Sequence, residues 1–173
     1  VGLRNLYNAG YDPHDMPALF ERLVAMNRFG QRPPEFLLSH PVTESRIADS
    51  KSRADRYPPR TVTPSLEYQL MRTRVQVYYE QDRERAVQEF KRGLQNAAGE
   101  VEKDAQRYGL AIAYKENKQF ALAHETLEPL LEKEPNRITY VVTKAEIHIA
   151  ENEPALAQTT LERHLEINPS NHP

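Results

Sequence analysis

The chain has 173 residues, no cysteine, and a formal net charge of −2 at pH 7. The missing cysteine excludes disulfide bonds and thiolate chemistry, and the interspersed, nearly balanced charges disfavour a nucleic-acid-binding protein, which needs a basic surface. Because no stretch approaches the ~20 apolar residues of a membrane-spanning helix, we expect no transmembrane segment.

Proline divides the chain into two parts, because eight of the thirteen prolines lie at or before Pro64. Residues 1–59 are therefore predicted to form short helices joined by rigid connectors. Gly10 is suited to end a first helix, since glycine tolerates the left-handed conformation that often follows a helix. Asp12 is the predicted N-cap of a second helix, and Thr43 that of a third.

A more specific motif lies between the second and third predicted helices. Residues 36–47 read FLLSHPVTESRI, which resembles a motif of the His-Glu-x-x-His zinc peptidases related to HtpX and the CAAX prenyl proteases. With the sequence AGYDP at residues 9–13 upstream and helical repeats downstream, the chain is similar to the BepA-like zinc metallopeptidases, which carry tetratricopeptide repeats.

The resemblance implies a zinc-dependent metalloendopeptidase of the bacterial periplasm that acts in the assembly and quality control of outer-membrane proteins. Its zinc is held by two histidines of a His-Glu-x-x-His helix and by a more distant glutamate. This sequence contains no His-Glu-x-x-His, and the resemblance implies a third ligand just upstream of Val1. We therefore expect a C-terminal part of such an enzyme, inactive alone and without its own cofactor, in which residues 1–59 end the peptidase domain.

His40 and Arg46 are the candidate catalytic residues that the resemblance implies. His40 would stabilise an oxyanion by a hydrogen bond, or would occupy the fourth zinc position that a catalytic zinc keeps open for water. Arg46 would orient a carboxylate at the metal site. The alternative is that His40 is an ordinary loop residue and Arg46 a surface charge.

Residues 57–64 are a proline-rich connector, and we predict that Thr63 caps the helix that follows it. Residues 104–170 repeat themselves with a 34-residue period, so that Ala111 aligns with Ala145 and Ala123 with Ala157. This period is typical of the tetratricopeptide repeat, whose helical hairpins stack because none can bury its apolar face alone. Residues 65–98 resemble a degenerate first repeat, in which a step of 37 residues separates Ala86 from Ala123. The predicted fold is therefore all-α, with repeat units over residues 65–98, 104–137 and 138–171.

The first helix of each unit is predicted to line a groove that binds protein substrates or partner proteins. Tyrosine and methionine on such a groove favour adaptable apolar contacts, and the groove has little positive charge. The alternative is that several of these tyrosines belong to the core. The predicted partner-binding residues are Tyr68, Met71, Val75, Tyr78, Tyr79, Tyr108, Ile112, Lys115 and Val142.

The remaining histidines of the repeats are interpreted as packed side chains. His124, His148 and His164 have no carboxylate or histidine partner at a convincing metal-binding spacing along the sequence, so no metal site is predicted there. A non-catalytic tetratricopeptide-repeat adaptor that mediates protein–protein interaction is the alternative function for the whole chain.

Overall fold

A computed structural model describes residues 2–28, 43–62 and 64–167. Within these ranges the protein is all-α and contains no strand, which confirms the predicted fold class. The chain divides into two compact units, residues 1–63 and residues 64–173. In the described ranges, every helix is either too short or too polar to cross a bilayer.

The described residues of the first unit form three helices, α1 (Gly2–Asn8), α2 (Asp15–Arg28) and α3 (Glu44–Ala54). Gly10 terminates α1, as predicted: it follows the helix in the left-handed conformation, with a φ of 89°. The Tyr11 N–H donates to the carbonyl of Leu6 at 2.9 Å and the Gly10 N–H to that of Tyr7 at 3.1 Å. This pair of bonds is the Schellman motif, which satisfies the last carbonyls of a helix.

Asp12 lies in the turn that leads into α2, which begins three residues later, at Asp15. Its carboxylate accepts hydrogen bonds from the His14 backbone N–H at 2.9 Å and from the Arg60 backbone N–H at 3.1 Å. The bond from the His14 N–H, with the further bonds from the His14 ring and Arg60, lowers the pKa of Asp12. The bond from the N–H two residues further on is of the kind that an N-cap carboxylate accepts.

Helix α3 begins as the sequence predicts. The Thr43 hydroxyl accepts a hydrogen bond from the backbone N–H of Arg46 at 3.3 Å, which satisfies one of the unpaired donors of the first turn. Helix α3 packs against α2, and the Lys51 ammonium lies 2.5 Å from the Glu21 carboxylate across this contact.

The second unit consists of three helical hairpins. The first begins at Leu66 with Ser65 as its N-cap, whose hydroxyl accepts from the Tyr68 N–H at 3.2 Å, so the prediction of a Thr63 cap is wrong. The six helices are α4 (Leu66–Tyr79), α5 (Arg83–Asn96), α6 (Glu100–Glu116), α7 (Phe120–Lys133), α8 (Ile138–Ala150) and α9 (Pro154–Ile167).

The 34-residue period is visible in the backbone of the second and third hairpins. Lys118 and Asn152, which are 34 residues apart, both adopt a left-handed conformation, with φ values of 58° and 65°. The N–H of the next residue then bonds to a carbonyl five residues earlier in each case, from Gln119 to Tyr114 at 2.9 Å and from Glu153 to His148 at 2.8 Å. The two hairpins therefore turn in the same way, in agreement with the 34-residue period of the sequence.

Small residues at the repeat positions form the contacts between helices. Ala111, Ala123, Ala145 and Ala157 are all buried, as predicted, whereas their neighbour Leu122 is exposed. Helix α6 lies at the centre of the unit, because it packs against α4, α5, α7 and α8.

Gly109 lies on α6 at a point where this helix closely approaches α4 and α5. A Cβ atom at this position would lie 2.3 Å from Thr73 Cγ2 and 2.4 Å from Phe90 Cε1. Both neighbours are themselves buried, so neither has open space into which to move. Glycine here allows α6 to contact α4 and α5 together.

We expect the Gly109→Ala variant to lower the free energy of unfolding by about 1–3 kcal/mol, because overpacking outweighs the gain in helix propensity. Urea unfolding followed by circular dichroism measures this change. Gly99→Ala is the matched control, since a Cβ there meets nothing within 4 Å, and its effect should stay within about 0.5 kcal/mol. Equal effects of the two substitutions would contradict the close approach.

Candidate functional site

Helix α4 carries a row of exposed apolar and aromatic side chains, all of them predicted partner-binding residues. Their exposed fractions lie between 47% and 76%, so they form surface and are not part of the core. The rings of Tyr78 and Tyr79 meet edge to face with their centroids 5.1 Å apart. We call this set the α4 row; its members are Tyr68, Met71, Val75, Tyr78 and Tyr79.

The other predicted groove residues have different environments. Tyr108 and Ile112 on α6 are buried in the core, so these two residues do not line the surface. Lys115 and Val142 are partly buried. The exposed part of the predicted groove is therefore concentrated on α4, and its binding of a partner stays a prediction.

A polar network connects the first helices of the three hairpins. The Arg74 guanidinium on α4 donates to the Tyr108 hydroxyl on α6 at 3.1 Å and to the Thr143 hydroxyl on α8 at 3.5 Å. It also forms an ion pair with Glu146 of α8. The Tyr108 and Thr143 hydroxyls lie 3.1 Å apart. These contacts fix the mutual positions of α4, α6 and α8.

Glu146 is the anionic centre of this network. Besides Arg74, it accepts a hydrogen bond from the Lys115 ammonium at 3.4 Å. Partial burial acts to lower the pKa of Arg74, but its hydrogen bonds to Tyr108 and Glu146 raise that pKa overall. The guanidinium therefore stays charged, and the network contains two cations around one half-buried carboxylate.

An open cavity of about 320 Å³ lies where the α4 row meets the network. Arg83 borders it and donates to the carbonyls of Val77 at 3.2 Å and Glu80 at 2.7 Å, at the C-terminal end of α4. Three basic and two acidic side chains thus meet at one end of the apolar row, where Lys115 also pairs with Glu116 at 3.0 Å. The cavity is lined by Arg74, Val77, Tyr78, Arg83, Ile112, Lys115, Glu116 and Glu146.

Sequence reasoning missed Arg74 and Thr143. Arg74 precedes Ala111 by the same 37-residue step that separates Ala86 from Ala123. A guanidinium therefore stands where the other units have a small apolar side chain, and this exception to the repeat pattern was the available signal.

The two candidate catalytic residues belong to the first unit. His40 lies outside the described residues, and Arg46 lies in the first turn of α3, with its guanidinium 5.9 Å from the centroid of the Phe20 ring. Arg46 borders an open cleft of about 650 Å³ that is also lined by Arg4, Arg53 and Arg56. The catalytic roles of both residues stay predictions.

The donor set of a His-Glu-x-x-His peptidase zinc does not fit the residues of this chain. The sequence lacks that motif, and the cluster of potential metal ligands found among the described residues lies on the repeats, at His124, His148 and Glu151. The prediction that these histidines have no carboxylate partner is wrong, because His124 Nε2 lies 2.7 Å from the Glu151 carboxylate.

Tyr108 and Tyr140 offer a direct test of the polar network, because both are fully buried and their ring centroids lie 5.8 Å apart. The Tyr108 hydroxyl is hydrogen-bonded, whereas that of Tyr140 is buried without a hydrogen bond among the described residues. Burial also raises the pKa of the Tyr140 hydroxyl, so this group stays neutral.

We expect Tyr108→Phe to lower the free energy of unfolding by about 1–2 kcal/mol, because Arg74 and Thr143 lose a shared partner. Tyr140→Phe should be neutral or stabilising by up to about 1 kcal/mol, because it removes an unsatisfied polar atom from the core. Urea unfolding of both variants measures the difference. A more destabilising Tyr140→Phe would contradict the assigned hydrogen bonds.

No protein-family model matches the chain, but curated proteins do. Over 172 residues it is 33% identical to the beta-barrel assembly-enhancing protease of Escherichia coli K12, which covers 98% of this chain and 35% of that protein. It is 36% identical over 141 residues to a putative beta-barrel assembly-enhancing protease of Vibrio cholerae, an alignment that covers 81% of this chain and 29% of that protein. It is 30% identical over 163 residues to the beta-barrel assembly-enhancing protease of Yersinia pestis, and this alignment covers 94% of this chain and 33% of that protein.

The chain thus spans about a third of the length of these relatives. The match extends over both structural units, since it includes nearly every residue of the chain. The chain is therefore BepA-like, a homologue of the beta-barrel assembly-enhancing proteases over that third of their length.

Proposed function

We propose that this chain is the protein-binding part of a zinc-dependent metalloendopeptidase that acts in the periplasm on the assembly and quality control of outer-membrane proteins. The observation that carries the proposal is the 33% identity to the Escherichia coli beta-barrel assembly-enhancing protease across 98% of the chain. The motif around His40 and Arg46 agrees with a zinc peptidase parent.

The proposed binding surface is the α4 row, and the second unit is interpreted as tetratricopeptide repeats. Five large apolar or aromatic side chains exposed on one helix face form the kind of patch that marks a protein-interaction site. The basic cavity beside Tyr78 adds hydrogen-bond donors at one end of the row. An extended or helical segment with an apolar face and an acidic end fits this arrangement.

The polar network supports this role because it makes the surface rigid. Arg74 comes from the same helix as the α4 row, and its contacts with α6 and α8 hold that helix in place before a partner arrives. A preformed surface loses less conformational entropy on binding than a mobile one.

The proposed catalytic contribution of this chain is limited to His40 and Arg46. Zinc in the parent enzyme supplies a polarised water and an electrophile for peptide hydrolysis, and its ligands are not present in this sequence. Arg46 is proposed to orient a carboxylate beside that centre, and His40 to donate to the oxyanion or to occupy the open metal position.

We expect the chain alone to hydrolyse no unfolded protein substrate in the presence of zinc, because it lacks His-Glu-x-x-His. The parent enzyme, assayed in parallel by release of fluorescent peptides, is the positive control. Zinc-dependent turnover by the purified chain, lost in chelator and regained on adding zinc, would contradict this expectation.

The α4 row is tested by photo-crosslinking in the parent enzyme within the bacterial envelope. A photoreactive phenylalanine at position 71 or 78 should form crosslinks to outer-membrane proteins or their assembly factors. Position 156 is the matched control, because Leu156 has an exposed fraction of 48%, close to the 47% of Met71, but lies on α9. Crosslinks of equal yield at all three positions, or none at 71 and 78, would exclude the α4 row as the binding surface.

A further inference from the structure

The second and third hairpins meet at a cluster of two histidines and a glutamate. His124 lies on α7, His148 near the end of α8, and Glu151 at the C-cap of α8. One potential ligand atom from each of the three residues lies within 4.8 Å of the other two. The imidazole rings of His124 and His148 are 4.7 Å apart between centroids.

The distances within this cluster are close to those of a bound metal. For a tetrahedral zinc with bonds of about 2.0–2.1 Å, neighbouring ligand atoms are about 3.3 Å apart. The Glu151 Oε2 atom lies 2.7 Å from His124 Nε2 and 3.6 Å from His148 Nδ1. Since all three ligand atoms lie within 4.8 Å of one another, side-chain shifts of up to about 1.5 Å would bring them to the spacing of a bound zinc.

One nitrogen of the cluster lacks the hydrogen bond that its burial demands. His148 Nδ1 is buried and has no hydrogen-bond partner among the described residues. The carboxylate oxygens of Glu151 and Glu153 each lie 3.6 Å away, which is beyond hydrogen-bond distance. Since buried polar atoms are normally satisfied, this nitrogen indicates a missing partner.

We propose that His124, His148 and Glu151 bind a zinc ion that links the second hairpin to the third. Two imidazoles and one carboxylate are a ligand set that proteins use for zinc. Glu153, at the start of α9, is close enough to supply the fourth ligand, and water is the alternative.

The proposed role of this ion is structural. Its ligands come from α7 on one side and from the end of α8 on the other, so that binding favours the docked arrangement of the two hairpins. A ligand that binds only the folded state stabilises it in proportion to the logarithm of its free concentration over the dissociation constant. Removal of zinc should therefore loosen the third hairpin first.

Calorimetric titration of the metal-free chain with zinc tests the proposal. We expect one ion per chain and, at a free zinc concentration of about 100 times the dissociation constant, a rise in Tm of roughly 5–10 °C. His124→Asn, His148→Asn and Glu151→Gln should each weaken binding at least about 100-fold, since even loss of a residue that only supports a metal ligand costs about 10–100-fold.

Two control variants show whether the effect belongs to this cluster. Glu125→Gln removes an exposed carboxylate from the same helix as His124. His14→Asn removes a histidine whose ring pairs with Asp12 in the first unit, so both variants should bind zinc like the parent chain. Absence of stoichiometric zinc binding, or binding that Glu151→Gln leaves unchanged, would overturn the proposal.

Zinc-edge X-ray absorption of the unmodified chain gives an answer that does not depend on variant folding. The spectrum of the one-to-one complex should require two imidazole ligands. A fit with one imidazole or none would refute the site even if every variant failed to fold.

Discussion

Helix α6 is the constraint on which the second unit depends, because its core segment is buried on every side. Residues 108–114 form an unbroken run of buried positions, and a helix apolar all round must be surrounded. The first hairpin packs on one side of α6, and the second and third hairpins complete its cover. Without both neighbours, this helix would expose apolar surface, so no single hairpin of the unit is expected to fold alone.

The central position of α6 also explains why the exposed apolar row lies on α4. Helix α4 is at the edge of the stack and packs one face on α6, through residues such as Leu70 and Val77. Its remaining apolar residues have no helix of the repeat to cover them. In a stack of identical units the next unit would cover this face, whereas here the face stays exposed and is suited to bind a different protein.

The repeat period made the fold predictable, because the small residues recur at positions where helices must approach closely. Ala111 and Ala145 were assigned to the core from sequence and are buried there. Helix starts were harder to predict, because several polar residues compete for the cap. Ser65 caps α4 in place of the predicted Thr63, and Asp12 uses its carboxylate in a turn. Such competition is decided by local hydrogen-bond geometry, which spacing does not record.

The sites depend on contacts that a one-dimensional pattern cannot show. Tyr108 was predicted to line the surface of the groove. In the structure its ring is buried, and its hydroxyl accepts a hydrogen bond from Arg74 of the neighbouring hairpin. His124 and Glu151 are 27 residues apart and meet only because the turn after α8 returns towards α7.

Both clusters join side chains from different hairpins, so each couples the stability of one hairpin to that of the next. Arg74 and Glu146 provide this coupling through a direct ion pair between α4 and α8. A site built from imidazoles and a carboxylate provides it in proportion to the available metal, since binding energy at such a site is also folding energy. The proposed metal site therefore adds to the ion pairs between hairpins a connection whose contribution to the stability of the third hairpin varies with the available metal.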